Sequence, residues 1–483
     1  MSLKVETISA LMWKLFERGG RAIVELIVQI VMARLLAPDD FGALAIMLVF
    51  VNLGNVIVQS GLNTALIQAP DATDEDFSTV FWMSLFLSAV LYVMVFSLSP
   101  AVGAFYNASS LIWPLRGLAI ILIVNSLNSV QIAWVTRRLQ MKKIFFSTIA
   151  SVLVSAAAGI CAAKSGAGLW ALVIQQVAYH TVGCVALFSQ IEWRPRFVFN
   201  PDKARGLFAF GWRLLVSGAL DQIYQSLTDL VVGKRFSPFQ LGLVSQGKKY
   251  PLAVGSMLDG AIQPVMLSAV SHVQDDRARV KRLVRRALKT STYLIVPMMT
   301  LFACCAPTLI PLLLGNQWQD SVWFLQVYCL VYALLPIHTT NLQALNGVGR
   351  SDLFLKLEVI KKAYGLAMLL FCAFVLNDVH MMVASNLLTG VLSTFVNAWP
   401  NKEVIGYSYG EQIRDIAPSF ILSAIAAIGA VGVGIVGLGG IAAIVLQALI
   451  FMTTYLGLSA LVHLETYEYL RCTVRDMLAS KTF

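Results

Sequence analysis

Charge is scarce in this chain. Only 13% of its 483 residues are Asp, Glu, Lys or Arg, while 58% are hydrophobic, and the mean hydropathy is +0.74. No soluble domain of this size is built that way, because too few ionic groups remain to face water. Alternating ten-residue strands are also missing, which excludes a transmembrane β-barrel. Long polar segments are missing too, since even the widest gap between apolar runs, 264–290, spans only 27 residues. That leaves no room for an ATPase domain, or for the large external loop that a membrane glycan polymerase or ligase uses. No phosphate-binding glycine loop, His-Glu-x-x-His or Ser-His-Asp arrangement occurs, so no enzyme chemistry is expected. Six of the seven cysteines lie inside apolar runs (Cys161, Cys184, Cys304, Cys305, Cys329, Cys372), without metal-ligand spacing. Neither a disulfide nor a metal is expected. The first residues carry charges and no small-x-small cleavage site, so they do not read as a cleavable signal.

What the chain has instead is fourteen apolar runs: 15–36, 41–63, 78–99, 115–135, 144–163, 168–189, 208–232, 240–263, 291–313, 322–345, 354–376, 380–399, 416–436 and 439–461. Most reach the ~20 residues needed to cross a bilayer. The expected fold class is therefore an all-α polytopic membrane protein with about 14 transmembrane helices. Lys and Arg set its orientation. Thr136–Lys143, Glu192–Arg205, Asp275–Lys289 and Arg350–Lys362 are basic, whereas Pro100–Trp113, Asn377–Val379 and Gly437–Gly440 hold little charge. Both termini are expected in the cytoplasm. The acids of Gln68–Phe77 lie on the same side and do not overturn a rule that counts cations. The net charge of +10 follows from this asymmetry and calls for no nucleic acid. Within 275–289, Val280, Leu283, Val284, Ala287 and Leu288 share one helical face among cations. That pattern predicts an interfacial helix on anionic membrane lipids. The tail 464–478 shows a weaker version, with Tyr467 and Leu470 on its apolar face. Trp82, Trp134, Trp170 and Trp399 near span ends read as interface belts.

The first run carries Arg18, Arg21, Glu25 and Gln29, spaced three, four and four, which is one stripe of a helix. An offset of 200 residues repeats the design. Pro38 pairs with Pro238, Gly42 with Gly242, Arg21 with Asp221, Glu25 with Gln225 and Gln29 with Asp229. Two homologous halves are expected, each opened by a helix whose polar stripe looks toward the other, with a transport site at their interface.

Several motifs carry a resemblance. Ala33-Arg-Leu-Leu-Ala-Pro-Asp-Asp-Phe-Gly42, then Gln59-Ser-Gly-Leu62 and Ala65-Leu-Ile-Gln68, opens the chain. Asp76-Phe-Ser-Thr-Val-Phe-Trp82, Gly168-Leu-Trp-Ala-Leu-Val173, Asp229-Leu-Val-Val-Gly-Lys234 and Asn341-Leu-Gln-Ala-Leu-Asn-Gly-Val-Gly-Arg350 follow. Together, over roughly the first 400 residues, they resemble the polysaccharide transporter branch of the multidrug/oligosaccharidyl-lipid/polysaccharide exporter superfamily. Leu243 departs from that pattern, where a Tyr commonly follows the Leu-Gly pair. The resemblance implies two pseudo-symmetric six-helix lobes in a V shape, 1–190 and 207–400. A cytoplasmic linker, 191–206, would join them. Two additional helices, 401–463, and a cytoplasmic tail, 464–483, complete the expected arrangement. It implies a flippase of the bacterial inner membrane. That flippase moves an undecaprenyl-pyrophosphate-linked oligosaccharide to the periplasmic leaflet and works beside polysaccharide polymerase and export machinery. A lipid II-type flippase and a small-molecule antiporter of the same superfamily are the alternatives.

A lipid pyrophosphate carries about two to three negative charges and needs cations where water is scarce. The candidates are Arg18, Arg21, Arg116, Arg213, Lys248 and Lys249. Their competing roles are an Arg21–Glu25 pair within one helix, and snorkelling for those near helix ends. Glu25, Asp221 and Asp229 are candidates for coupling to H+ or Na+, with charge balance as the alternative. No other cofactor is expected. Asn52, Asn55, Gln59 and Asn63 form a neutral stripe suited to sugar hydroxyls or to interhelical hydrogen bonds. Asp259 and Gln263 repeat its last two positions. His180 and His338 lack acidic neighbours and read as structural.

The cation asymmetry predicts how single cysteines will label in intact cells. Positions 143, 203 and 282 should react only from the cytoplasm, and positions 107 and 377 only from outside. Labelling of position 107 from the cytoplasm alone would overturn the topology.

Overall fold

The computed structural model describes residues 21, 24–59, 66–67, 73–435 and 439–480, and every regular element among them is helical. Among the described residues, twelve helices are long and apolar enough to cross a membrane. Of the fourteen expected spans, 15–36 and 208–232 are absent from that set. The first lies partly outside the described residues, with 24–35 helical. The second is the interior of one long helix, Pro201–Arg235. The chain divides into two compact units, one ending at Gly242 and the other beginning at Leu243.

Helix starts follow the local chemistry. Pro38 opens Pro38–Gln59 with Asp39 and Asp40 in its first turn, where the positive end of the helix dipole favours them. Thr73 precedes Asp74–Phe105, and its N–H and hydroxyl both donate to the Asp76 carboxylate at 2.8 Å. Two tight reversals fall on asparagines, which tolerate positive φ, Asn107 at 52° and Asn377 at 51°; Leu139 at 55° and His463 at 50° adopt it as well.

In the first unit, small residues let helices approach closely. Met141–Lys164 lays Ser151 and Gly159 against Gly183 and Gln175 of Leu169–Gln190. A Cβ on Gly159 would stand 2.8 Å from that of Gln175. The repeated Pro-x-x-x-Gly turns meet each other. A Cβ on Gly42 would stand 1.7 Å from the Pro238 carbonyl oxygen, and one on Gly242 would stand 2.0 Å from that of Pro38. The contact is reciprocal, and it explains why both turns need a glycine at that position.

Several sequence expectations change in the second unit. Residues 275–289 are not a separate interfacial helix, because Arg277–Leu314 is continuous through them. Val280, Val284 and Leu288 are fully buried, in a core with Met266, Ile337 and Tyr407. The cations beside that stripe face acids contributed from more than 120 residues downstream. Lys281 binds Glu411 at 2.7 Å. Arg285 binds Asp415 through two hydrogen bonds of 2.7 and 2.8 Å, and the Tyr407 hydroxyl donates to the same carboxylate. Lys289 pairs with Glu465, and this hydrogen bond holds the Glu465 carboxyl below its ordinary range. These acids neutralise three of the cations on that face. The tail helix Glu465–Ser480 likewise docks on protein, with Tyr467 and Leu470 against a core of Tyr293, Phe451 and Tyr455.

Two further expectations shift. The basic stretch 350–362 is not a loop but the opening turns of Ser351–Phe371. Trp134 is not an interface residue. It is 5% exposed, in a core with Phe77, Phe81 and Trp193.

The reciprocal glycine contact makes a sharp stability prediction. Gly42→Ala and Gly242→Ala should each lower the thermal unfolding temperature in detergent, by the equivalent of about 1–3 kcal/mol of overpacking. Gly260→Ala, with nothing within 4 Å of the added Cβ, should leave it unchanged or raise it.

Candidate functional site

The first helix delivers its charges as a pair. Arg21 Nε donates to Glu25 Oε1 at 2.7 Å, and the two side chains are 42% and 43% exposed. The Arg21 guanidinium lies 5.2 Å from the centre of the Tyr179 ring, beside His180 on Leu169–Gln190. The i,i+4 spacing seen in the sequence therefore closes an intrahelical ion pair over an aromatic face. At this exposure such a pair contributes only about 0.2–1 kcal/mol. Gln29, one turn further on, is half-buried, and its Oε1 has no hydrogen bond among the described residues. Arg18 lies outside the described residues.

The repeat unit of that helix behaves alike. On Pro201–Arg235, Gln225 donates to Asp221 at 2.7 Å, again at i,i+4, and Gln222 donates to Ser226 at 3.0 Å. Asp229 is half-buried. The side chain of Arg213 lies outside the described residues.

The neutral stripe separates into two roles. Asn55 accepts from Asn125 at 2.9 Å, joining Pro38–Gln59 to Ile120–Arg137. Asn52 and Gln59 stand exposed, and Asn63 lies outside the described residues. At the repeated positions, Gln263 donates to Asp259 at 2.7 Å, and the Thr339 hydroxyl donates to the same carboxylate.

Arg116 is committed elsewhere. Pro100 sits inside Asp74–Phe105 and has no N–H to give the Phe96 carbonyl. Arg116 Nε reaches that carbonyl at 3.3 Å and Ser99 Oγ at 2.8 Å, with its guanidinium 4.1 Å from the Phe96 ring centre. Lys248 is half-buried and makes no ion pair among the described residues, while Lys249 is exposed.

One ion pair within a helix was not foreseen from the sequence. Glu358 and Lys361 bind each other on Ser351–Phe371, with side chains 27% and 15% exposed. Their i,i+3 spacing was visible, but the density of cations suggested a loop. Nearby in the fold of this unit, His338 stands 3.2 Å from Asn397, consistent with a structural role, and Asn341 donates to Gln412 at 3.0 Å. No group of three metal-ligating side chains occurs among the described residues.

Comparison with known proteins gives a consistent picture. A family model described as polysaccharide biosynthesis protein matches residues 31–323. The succinoglycan biosynthesis transport protein ExoT of Rhizobium meliloti (strain 1021) is 23% identical over 339 residues, 70% of this chain and 68% of its own length. The lipopolysaccharide biosynthesis protein WzxC of Escherichia coli (strain K12) is 22% identical over 433 residues, 88% of this chain and 86% of its own. Among solved structures, lipid II flippase MurJ in an inward closed conformation aligns with a TM-score of 0.76 at 12% identity. That alignment covers 94% of this chain and 99% of that one. An inward-facing multidrug resistance MATE family transporter of the MOP superfamily aligns with a TM-score of 0.61 at 14% identity, over 80% and 96% of the two chains. At such identities the structural likeness speaks to the fold alone.

The Arg116 geometry predicts a stability role that a double-mutant cycle reads. Arg116→Gln should cost about 0.5–1.5 kcal/mol in unfolding experiments, by removing its hydrogen bonds to Ser99 and to the Phe96 carbonyl and leaving that carbonyl to Ser99 alone. In a Pro100→Ala background, where the backbone N–H is restored, the same change should cost clearly less. Equal costs in both backgrounds would sever Arg116 from the kink.

Proposed function

Because the chain belongs to the polysaccharide biosynthesis protein family, we propose that it is a flippase for a lipid-linked oligosaccharide. The cargo is an undecaprenyl-pyrophosphate-linked repeat unit of an exopolysaccharide, capsule or O-antigen. It moves from the cytoplasmic to the periplasmic leaflet of a bacterial inner membrane, and no bond in it is made or broken. The family match over residues 31–323 carries this reading. The naming of relatives for succinoglycan transport and lipopolysaccharide biosynthesis supports a surface glycan rather than lipid II as cargo. The cation asymmetry supports cytoplasmic termini.

The Arg21–Glu25 pair suggests how loading and coupling are joined. A pyrophosphate takes the arginine by its bidentate fork and leaves Glu25 without its cation. A proton or Na+ then neutralises the carboxylate, so cargo and ion favour the same state and each strengthens binding of the other. Asp221, which accepts from the Gln225 amide at i,i+4, and Asp229 are the second pair of coupling carboxylates. Asn52 and Gln59 offer exposed amides to sugar hydroxyls. A polymerase or export complex would consume the flipped product.

Complementation tests the exchange. Arg21→Ala should abolish surface polysaccharide while the protein still inserts. Arg21→Lys should restore it only in part, since the fork is lost. The double change Arg21→Gln with Glu25→Gln removes the pair without leaving a lone charge, and it should still fail. Wild-type polysaccharide from that double variant would show that Arg21 merely balances Glu25.

A further inference from the structure

Between Leu169–Gln190 and Pro201–Arg235 the chain runs as a non-helical strap, residues 191–200. It is pinned to the first turns of Asp74–Phe105. The Trp82 indole donates to the Arg196 carbonyl at 2.8 Å, and the Arg196 N–H donates to Ser78 Oγ at 3.1 Å. Asn200 closes the far end, its N–H donating to Thr79 Oγ1 at 3.3 Å and its amide to Glu75 at 3.1 Å. Trp193 is buried beneath, among Phe77 and Phe81. A strap held this firmly would normally turn its apolar side chains inward. Here Phe197 is 92% exposed, Phe199 53% and Val198 41%. Phe197 stacks on the face of Trp82, with ring centres 4.9 Å apart.

Cations flank these apolar tips. Arg194 and Arg196 are exposed on the strap. The core under the strap also holds Trp134 and Ile144, so the basic turn between Ile120–Arg137 and Met141–Lys164 belongs to the same end of the unit. There Arg138 lies over Trp134, and Lys142 sits near the ring of Phe146, which is 48% exposed. Two of the helices that the strap touches or continues are candidate membrane spans. The strap therefore lies at the level where spans leave the hydrocarbon. Exposed aromatics amid arginines at that level match a headgroup layer bearing negative charge.

We propose that strap 191–200 is a membrane-interface anchor. Phe197 and Phe199 sit at the acyl boundary of the leaflet facing this end, and Arg196 engages anionic phospholipid headgroups. Because the strap leads directly into Pro201–Arg235, the helix that carries Asp221 and Asp229, the anchor fixes that helix's entry to the lipid surface. The inference needs only a spanning bundle and stands apart from the transport reading.

Photo-crosslinking in cells tests it on the full chain. Phe197→p-benzoylphenylalanine should yield phospholipid adducts under ultraviolet light, detected by mass spectrometry. Phe86→p-benzoylphenylalanine, at a 72% exposed position within a span, calibrates capture of lipid. Protein adducts, or none, at 197 while 86 captures lipid would overturn the anchor. Arg196→Gln, which leaves both backbone hydrogen bonds in place, tests the headgroup. The ratio of phosphatidylglycerol to phosphatidylethanolamine adducts at 197 should fall about fivefold, from the ~1 kcal/mol a surface cation contributes on anionic lipid. An unchanged ratio would remove Arg196 from the proposal.

Discussion

In a bilayer core no water stands ready to satisfy a polar group, so each must find its partner within the protein. That constraint makes every described regular element a helix, and it also governs the exceptions. Pro100 frees the Phe96 carbonyl inside a span, and Arg116 and Ser99 close on it. Asn55 meets Asn125 across two helices, and Ser88 meets Ser126. The charges obey the same rule within single helices: Arg21 with Glu25, Glu358 with Lys361. What distinguishes these pairs is exposure. Glu358 and Lys361 are largely covered, whereas Arg21 and Glu25 are open, and an open pair is one that a ligand can break.

The basic face of Arg277–Leu314 shows how far a partner can lie from its charge in sequence. Its valines and leucine form an apolar stripe among cations, the pattern of a helix lying on lipid. The fold instead brings Glu411, Asp415 and Glu465 against the cations. Asp415, 4% exposed at its side chain, receives a two-pronged arginine and a tyrosine hydroxyl. Removing one partner of such a site leaves a buried charge behind, which makes the cluster a clamp holding the segment after 404 to the helix. In the first unit the converse holds: the strap at 191–200, which composition marked only as a basic loop, leaves its aromatics outside.

The cations consequently separate by what already holds them. Arg116 is spent on the backbone, and Lys281, Arg285 and Lys289 on acids. Arg21 pairs with Glu25 at about two-fifths exposure and has an aromatic neighbour in Tyr179.

Much of this was legible in the residues themselves. Apolar runs gave nearly all the spans, because length and hydropathy alone decide whether a helix can cross. The three-four-four spacing gave the polar stripe, and the 200-residue offset marked Gly42 and Gly242 as equivalent. Spacing along one helix was enough to foresee Arg21 with Glu25, since i and i+4 lie on one face whatever surrounds them. The chain alone was silent wherever the answer depended on an element distant in sequence. It did not reveal that Gly42 and Gly242 each pack on the other's proline carbonyl. Nor did it reveal that Trp134 is buried, that Arg116 serves a kink, or that the stripe at 280–288 faces Tyr407 rather than lipid. An apolar face is the same whether it meets a bilayer or a neighbouring helix, because both are equally dry. Only the tertiary structure says which one is there.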